Sequence, residues 1–66
     1  MRRLPYIEIN TWSGKDKETK RRLVEEVTKA VISVLDIKPE MVSVIIRDIP
    51  KGNWAVGGVL DVDKNY

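Results

Sequence analysis

PYIEINTW, residues 5–12, decides the fold, because its apolar and polar side chains alternate as they do in a β-strand. Ile7 and Ile9 fall on one face of this strand, and Glu8 falls on the other. Pro5 opens the strand, a position where its missing N–H group is tolerated. We therefore predict that the folded part of the chain starts with a β-strand at Pro5.

A helix is predicted after a short loop at residues 13–15. Asp16 is a good N-cap, since its carboxylate can accept hydrogen bonds from the free amides of a first helical turn. Apolar residues then recur at helical spacing, and they include Leu23, Val27, Ala30, Val31 and Val34. The helix is expected to run to about Leu35 with a solvated charged face. Ile32 lies off the apolar stripe and is a candidate subunit contact.

A second strand and a hairpin are predicted in the rest of the chain. Residues 42–49, VSVIIRDI, are rich in β-branched side chains and have the length of a strand. Pro39 places a turn before this strand, because a proline forces the preceding residue out of the helical region. A turn at residues 50–53 leads to a short hairpin at residues 54–60, centred on Gly57-Gly58.

The order strand, helix, strand predicts an α+β fold in which the two strands are parallel and joined by a right-handed crossover. We treat residues 1–66 as one domain, with an extension at residues 1–4 and a polar tail or partner-docking arm at residues 61–66. Two strands and one helix do not close a core. We therefore expect two copies to form a four-stranded sheet with two helices on one face, and further assembly to cover the other face.

Composition also favours oligomerisation. A chain of 66 residues buries only about 60% of the surface that its unfolded form exposes, which makes a solitary monomer marginal. This chain has no cysteine and no histidine, so disulfides and the common zinc or iron ligand sets are excluded. The formal net charge is +2 with mixed signs, which suits an anionic small molecule better than a nucleic acid. No apolar run is long enough to span a bilayer. We expect a cytoplasmic protein that binds no membrane.

The run DIPKGNWAVGG at residues 48–58 is the most specific motif of the chain. Together with the opening PYIEI, the amphipathic helix and VSVII, it resembles the 4-oxalocrotonate tautomerase (2-hydroxymuconate tautomerase) family over residues 5 to about 60. The resemblance implies a small β-α-β chain that assembles into a homohexamer, a trimer of dimers. It also implies an isomerase that converts enol or dienol carboxylates such as 2-hydroxymuconate to the keto form, with an amino-terminal proline as base and no metal or other cofactor.

The resemblance assigns roles to particular residues. Pro5 matches the catalytic proline, and Trp54 falls where the family has an aromatic wall. Lys15 and Ser43 fall where the family has its two substrate-binding arginines, so one positive charge is retained and one is missing. Arg47, which lies on the same strand face as Ser43, is a candidate for the missing charge, and Arg2 and Arg3 beside Pro5 are another.

The amino terminus leaves three functions open. A proline is a base only when its nitrogen is a free amine, and Pro5 is acylated by Leu4 in the printed chain. Met1 followed by the bulky Arg2 is not a site for methionine removal. The chain is therefore an active tautomerase if an alternative start or processing exposes Pro5, or a degenerate and weakly active relative if it does not. The third possibility is a non-enzymatic module that binds an anion or RNA.

Overall fold

The computed structural model describes residues 5–64, so the extension at residues 1–4 and the last two residues lie outside the described part of the chain. The helix and strands are β1 (Tyr6–Trp12), α1 (Lys17–Leu35), β2 (Ser43–Ile49), β3 (Ala55–Val56) and β4 (Val59–Leu60). Three short 3-10 turns complete the chain, at Pro39–Met41, Lys51–Asn53 and Asp61–Asp63.

The two long strands pair in parallel, with Tyr6 opposite Ser43 and Trp12 opposite Ile49. The two short strands form an antiparallel hairpin. Gly57 and Gly58 make its turn with φ of 63° and 82°, values that disfavour any residue with a Cβ. The predicted β-α-β unit with a short C-terminal hairpin is confirmed.

The helix has the predicted bounds because its ends are capped locally. The Asp16 carboxylate accepts a hydrogen bond from the Thr19 amide at 2.8 Å, so one free donor of the first turn is satisfied. At the other end, Asp36 adopts a left-handed conformation with φ of 55°, and its amide donates to the Ile32 carbonyl at 2.9 Å. Lys38 is extended, as Pro39 predicted. None of the helical segments within residues 5–64 is both long and apolar enough to cross a membrane.

One face of the parallel pair packs toward the helix. Lys20 on α1 forms an ion pair with Asp48 on β2, at 2.5 Å between Nζ and Oδ2. Side chains alternate along a strand, so Val44 and Ile46 lie on the same face as Asp48, and their register partners on β1 lie beside them. The opposite face, which carries Tyr6 and Ile45, receives no cover from α1. Both of these side chains are exposed.

The single chain does not build a buried core. No apolar side chain within residues 5–64 is buried, and the exposed area is 5353 Å². A folded monomer of this mass is expected to expose about 4300 Å². The radius of gyration is 15.1 Å, against about 11 Å for a compact chain of this length. The chain therefore presents apolar surface that other copies can cover.

Residues 61–64 are the described part of the stretch predicted as a polar tail or a partner-docking arm. They form a 3-10 turn that folds back on the hairpin, because the Asp61 amide donates to the Trp54 carbonyl at 2.7 Å. The Asp61 side chain is only 2% exposed, and Lys64 Nζ lies 3.2 Å from its Oδ1. A buried carboxylate beside a half-buried ammonium thus holds the end of the described chain.

Replacing Lys64 should destabilise the fold. We expect Lys64→Met to lower the free energy of unfolding by about 2 kcal/mol, because it leaves the buried Asp61 carboxylate without a cation. Adding Asp61→Asn to the same chain should recover part of this loss. Urea denaturation monitored by circular dichroism measures both effects, with Lys38→Met as a control on an exposed lysine. Equal effects of Lys64→Met and Lys38→Met would show that the ion pair contributes nothing.

Candidate functional site

Pro5 and Ser43 lie together at the start of the parallel pair. The Pro5 carbonyl accepts a hydrogen bond from the Ser43 amide at 3.1 Å, and Tyr6 is the register partner of Ser43. Both Pro5 and Ser43 are half-buried. The structure thus brings together two of the five predicted site residues. We call this region, residues 5, 6 and 43, the proline end of the sheet.

Arg47 does not stand free on the sheet. Its Nη1 donates to Glu8 Oε1 at 2.7 Å, and the Tyr6 hydroxyl donates to the other carboxylate oxygen of Glu8. Parallel register partners share a face, so Tyr6, Glu8 and Arg47 lie on the sheet face opposite α1, the same face as Ser43. Arg47 is opposite Asn10 in the register, but its guanidinium reaches back to Glu8. It therefore leans toward the proline end.

The contacts among Tyr6, Glu8 and Arg47 shift the pKa of each of the three side chains. The hydrogen bond from Tyr6 and then that from Arg47 hold the pKa of Glu8 below its ordinary value. The hydrogen bond to Glu8 raises the pKa of Tyr6, and the same carboxylate raises the pKa of Arg47. Glu8 is thus an anion and Arg47 a cation at neutral pH, and the two charges offset each other.

Removing the Tyr6 hydroxyl should shift the titration of Glu8. We expect Tyr6→Phe to raise the pKa of Glu8 toward its ordinary value, because the hydrogen bond from Tyr6 is the first cause of its lowering. A lowered pKa stabilises the fold above the unfolded-state pKa, and that stabilisation is lost as the pH falls through the folded-state pKa. NMR titration of the Glu8 carboxyl carbon measures the shift. Thr11→Val, on the opposite face of β1, is the matched control, and an unchanged Glu8 in Tyr6→Phe would contradict the assignment.

An aromatic pair lies at the other end of β1. The rings of Trp12 and Trp54 meet edge to face, with centroids 6.4 Å apart and an interplanar angle of 77°. Lys51 Nζ lies 4.6 Å from the centroid of the Trp12 ring, within range of a cation–π interaction. Lys15 is exposed in the loop that follows β1, and it makes no ion pair within residues 5–64. We call residues 12, 15, 51 and 54 the tryptophan end.

The two ends are far apart in one chain. Pro5 directly precedes the seven-residue strand β1 and Trp12 is its last residue, so the two ends lie roughly 20 Å apart at about 3.3 Å per residue. A single chain therefore places Pro5 and Ser43 in one half of the predicted site, and Lys15 and Trp54 in the other. Arg47 lies between them.

Four further residues belong to these groups but were not predicted to be part of a site, and they are Tyr6, Glu8, Trp12 and Lys51. Tyr6 and Glu8 were placed on one strand face by their alternation, yet their contact with Arg47 depends on the register between β1 and β2. Lys51 was assigned only to a turn. Its position over Trp12 depends on how the turn and the hairpin fold back toward β1.

Known proteins resemble this chain over almost its whole length. A family model described as tautomerase enzyme matches residues 5–64. The 2-hydroxymuconate tautomerase of Comamonas testosteroni is 34% identical over 56 residues, which cover 85% of this chain and 89% of that protein. The protein of the same name from Bacillus subtilis is 36% identical over 55 residues, with 83% and 89% covered.

Solved structures show the same fold. The crystal structure of YwhB, a homologue of 4-oxalocrotonate tautomerase, superposes with a TM-score of 0.88 at 34% identity and covers 92% of this chain and 100% of that one. A 4-oxalocrotonate tautomerase isozyme of Methylibium petroleiphilum gives a TM-score of 0.84 at 38% identity, with 88% and 94% covered. These matches agree in sequence and in structure, and the chain belongs to the 4-oxalocrotonate tautomerase family.

Proposed function

We propose that this protein is a tautomerase that converts enol or dienol carboxylates, of the 2-hydroxymuconate class, to their keto forms. The base is the amine of Pro5, exposed by an alternative start or by processing. The observation that carries the proposal is that the tautomerase family match begins at Pro5 itself and leaves residues 1–4 outside. In the matched part of the chain, Pro5 is the first residue.

The chemistry is a proton transfer within one substrate. The lone pair of the Pro5 amine takes the proton of the enol hydroxyl, and the carbonyl forms as the carbon–carbon double bond shifts. The resulting ammonium then returns a proton to carbon, so the enzyme ends unchanged. A terminal amine has a pKa of about 7.7–8.0 before any perturbation, which places it close to the operating pH of a general base. No cofactor is required.

Substrate binding is divided between two copies in this proposal. Ser43 offers a hydroxyl beside Pro5, while Lys15 supplies a positive charge and Trp54 an apolar wall. Because Lys15 and Trp54 lie at the far end of β1, they reach Pro5 only from another subunit. We therefore propose a homo-oligomer, a hexamer built as a trimer of dimers, in which the tryptophan end of one copy meets the proline end of another.

The exposed surface supports association. The chain exposes more area than a folded monomer of its mass, and Tyr6 and Ile45 are uncovered on the sheet. A solved relative from Chloroflexus aurantiacus, with a TM-score of 0.85 at 25% identity, is described as a heterohexamer. Size-exclusion chromatography with light scattering measures the mass of the assembly.

The degenerate relative remains the second candidate, because residues 1–4 precede Pro5 in the printed chain. An acylated proline nitrogen has no available lone pair, so that form has no base. A module that binds RNA is not favoured. Five basic side chains of the described residues form ion pairs with acids, and they are Lys20, Arg21, Lys29, Arg47 and Lys64.

The decisive test is an assay of two chains, one that begins at Met1 and one that begins at Pro5. The loss of the ultraviolet absorbance of a 2-hydroxydienoate follows ketonisation directly. Intact mass of the protein from its native source shows which amino terminus occurs there.

A further inference from the structure

We propose that Glu8 is a specificity-determining residue that makes this site selective for enols with a single carboxylate over enols with two. The inference rests on the proposed tautomerase function and concerns the same site. It follows from the charges that the sheet presents beside Pro5.

In the described part of β1 and β2, the side chains on the sheet face that carries Tyr6 sum to no net charge. Among the described residues of β1 and β2, the side chains on this face are Tyr6, Glu8, Asn10, Trp12, Ser43, Ile45, Arg47 and Ile49. Arg47 is the cation of this set and Glu8 is the anion. Their contact of 2.7 Å joins the two charges in one ion pair.

The ion pair engages one of the guanidinium nitrogens that a second carboxylate would use. Arg47 binds carboxylates through its guanidinium N–H groups, and Nη1 already donates to Glu8. The pair is partly exposed, with side-chain exposures of 53% for Arg47 and 36% for Glu8, so a substrate can approach it. A second substrate carboxylate that arrives there meets the like charge of Glu8. Glu8 thus disfavours the binding of substrates with two carboxylates.

The remaining surface near Pro5 suits an uncharged substrate end. Ile45 lies between Ser43 and Arg47 on the same face and is 44% exposed, and Tyr6 has the same exposed fraction. Ser43, whose amide donates to the Pro5 carbonyl, carries a neutral hydroxyl. An aliphatic or aromatic end of a substrate can contact Ile45 and the Tyr6 ring. The single carboxylate of that substrate then binds Lys15 of another copy.

The test compares two substrates on the chain that begins at Pro5. 2-Hydroxy-2,4-pentadienoate has one carboxylate and 2-hydroxymuconate has two, and both share the reacting enol. We expect kcat/KM to favour the monocarboxylate by about tenfold. Glu8→Gln keeps the shape of the side chain but removes its charge. It should raise kcat/KM for the dicarboxylate by about tenfold relative to that for the monocarboxylate.

Two controls locate the effect. Adding Arg47→Met to Glu8→Gln should abolish the gain, because the gain depends on the freed guanidinium. Glu40→Gln changes an exposed carboxylate in the Pro39–Met41 turn, outside this face, and should leave the substrate ratio unchanged. Competitive inhibition of the unsubstituted chain by a dicarboxylate and by its monomethyl ester gives the same comparison with no substitution.

The outcomes distinguish the role of Glu8 from the proposed tautomerase function. A preference of the unsubstituted chain for 2-hydroxymuconate, or a substrate ratio that Glu8→Gln does not change, overturns the role of Glu8 while the tautomerase function stands. If the chain ketonises neither substrate, the proposed tautomerase function is contradicted, and the role of Glu8 is contradicted with it.

Discussion

A chain that begins at Pro5 should ketonise 2-hydroxydienoates at least about 10²-fold faster than the chain that begins at Met1, since a positioned general base contributes about 10²- to 10⁴-fold. In the longer chain the nitrogen of Pro5 belongs to an amide, whose lone pair is delocalised into the carbonyl and accepts no proton at neutral pH. The initial rate of absorbance loss at equal protein concentration measures the difference. In the shorter chain, kcat/KM should rise with pH as the amine loses its proton.

A chemical control separates the lost base from a steric effect of residues 1–4. The chain that begins at Pro5 can be acetylated at its terminal amine, which adds only a small group but removes the lone pair. We expect the acetylated chain to be as slow as the longer one. Equal activity of the free and acetylated chains would show that the Pro5 amine is not the base.

Two inactive variants should restore activity when they form one assembly. Trp54→Ala in the chain that begins at Pro5 is expected to lower kcat/KM by about 10²-fold, because the substrate loses the wall that positions it. The acetylated chain retains Trp54 but lacks the base. If an active site takes Pro5 from one copy and Trp54 from another, random mixed oligomers rebuild about a quarter of the sites with both groups intact.

The measurement is the ketonisation rate after the two variants are unfolded together and refolded. Each variant refolded alone is the control, and the sum of their separate rates is the expectation without shared sites. A mixture that never exceeds this sum would show that each chain builds its own site. That result would contradict the proposal that Pro5 and Trp54, which lie roughly 20 Å apart along β1 in one chain, meet only between copies.

Local signals predicted most of the fold. The N-cap at Asp16, the extended residue before Pro39 and the turn at Gly57-Gly58 each act within a few residues, so a sequence alone reveals them. The motif at residues 48–58 then identified the family. These features placed Ser43 on the correct strand, whereas Pro5 and Trp54, predicted to open a strand and the hairpin, lie directly before β1 and β3.

Contacts that depend on tertiary structure were not predicted. The ion pair of Glu8 with Arg47 is diagonal across two strands, and a change of register by one residue would place the two side chains on opposite faces. The contact of Trp12 with Trp54 joins residues that are 42 positions apart and requires the hairpin to fold back. The burial of Asp61 depends on the same fold-back, whereas the polar sequence indicated only a tail or a partner-docking arm.

The backbone pairing at Pro5 bears on how the protein can mature. β1 is joined to β2 at this position through the carbonyl of Pro5, which accepts from the Ser43 amide. The nitrogen of an acylated proline carries no hydrogen and cannot donate to the ladder. Cleavage of the Leu4–Pro5 bond therefore alters an atom that does not hold the two strands together. Proteolytic activation at this bond would expose a reactive amine on Pro5 and leave the pairing of β1 with β2 intact.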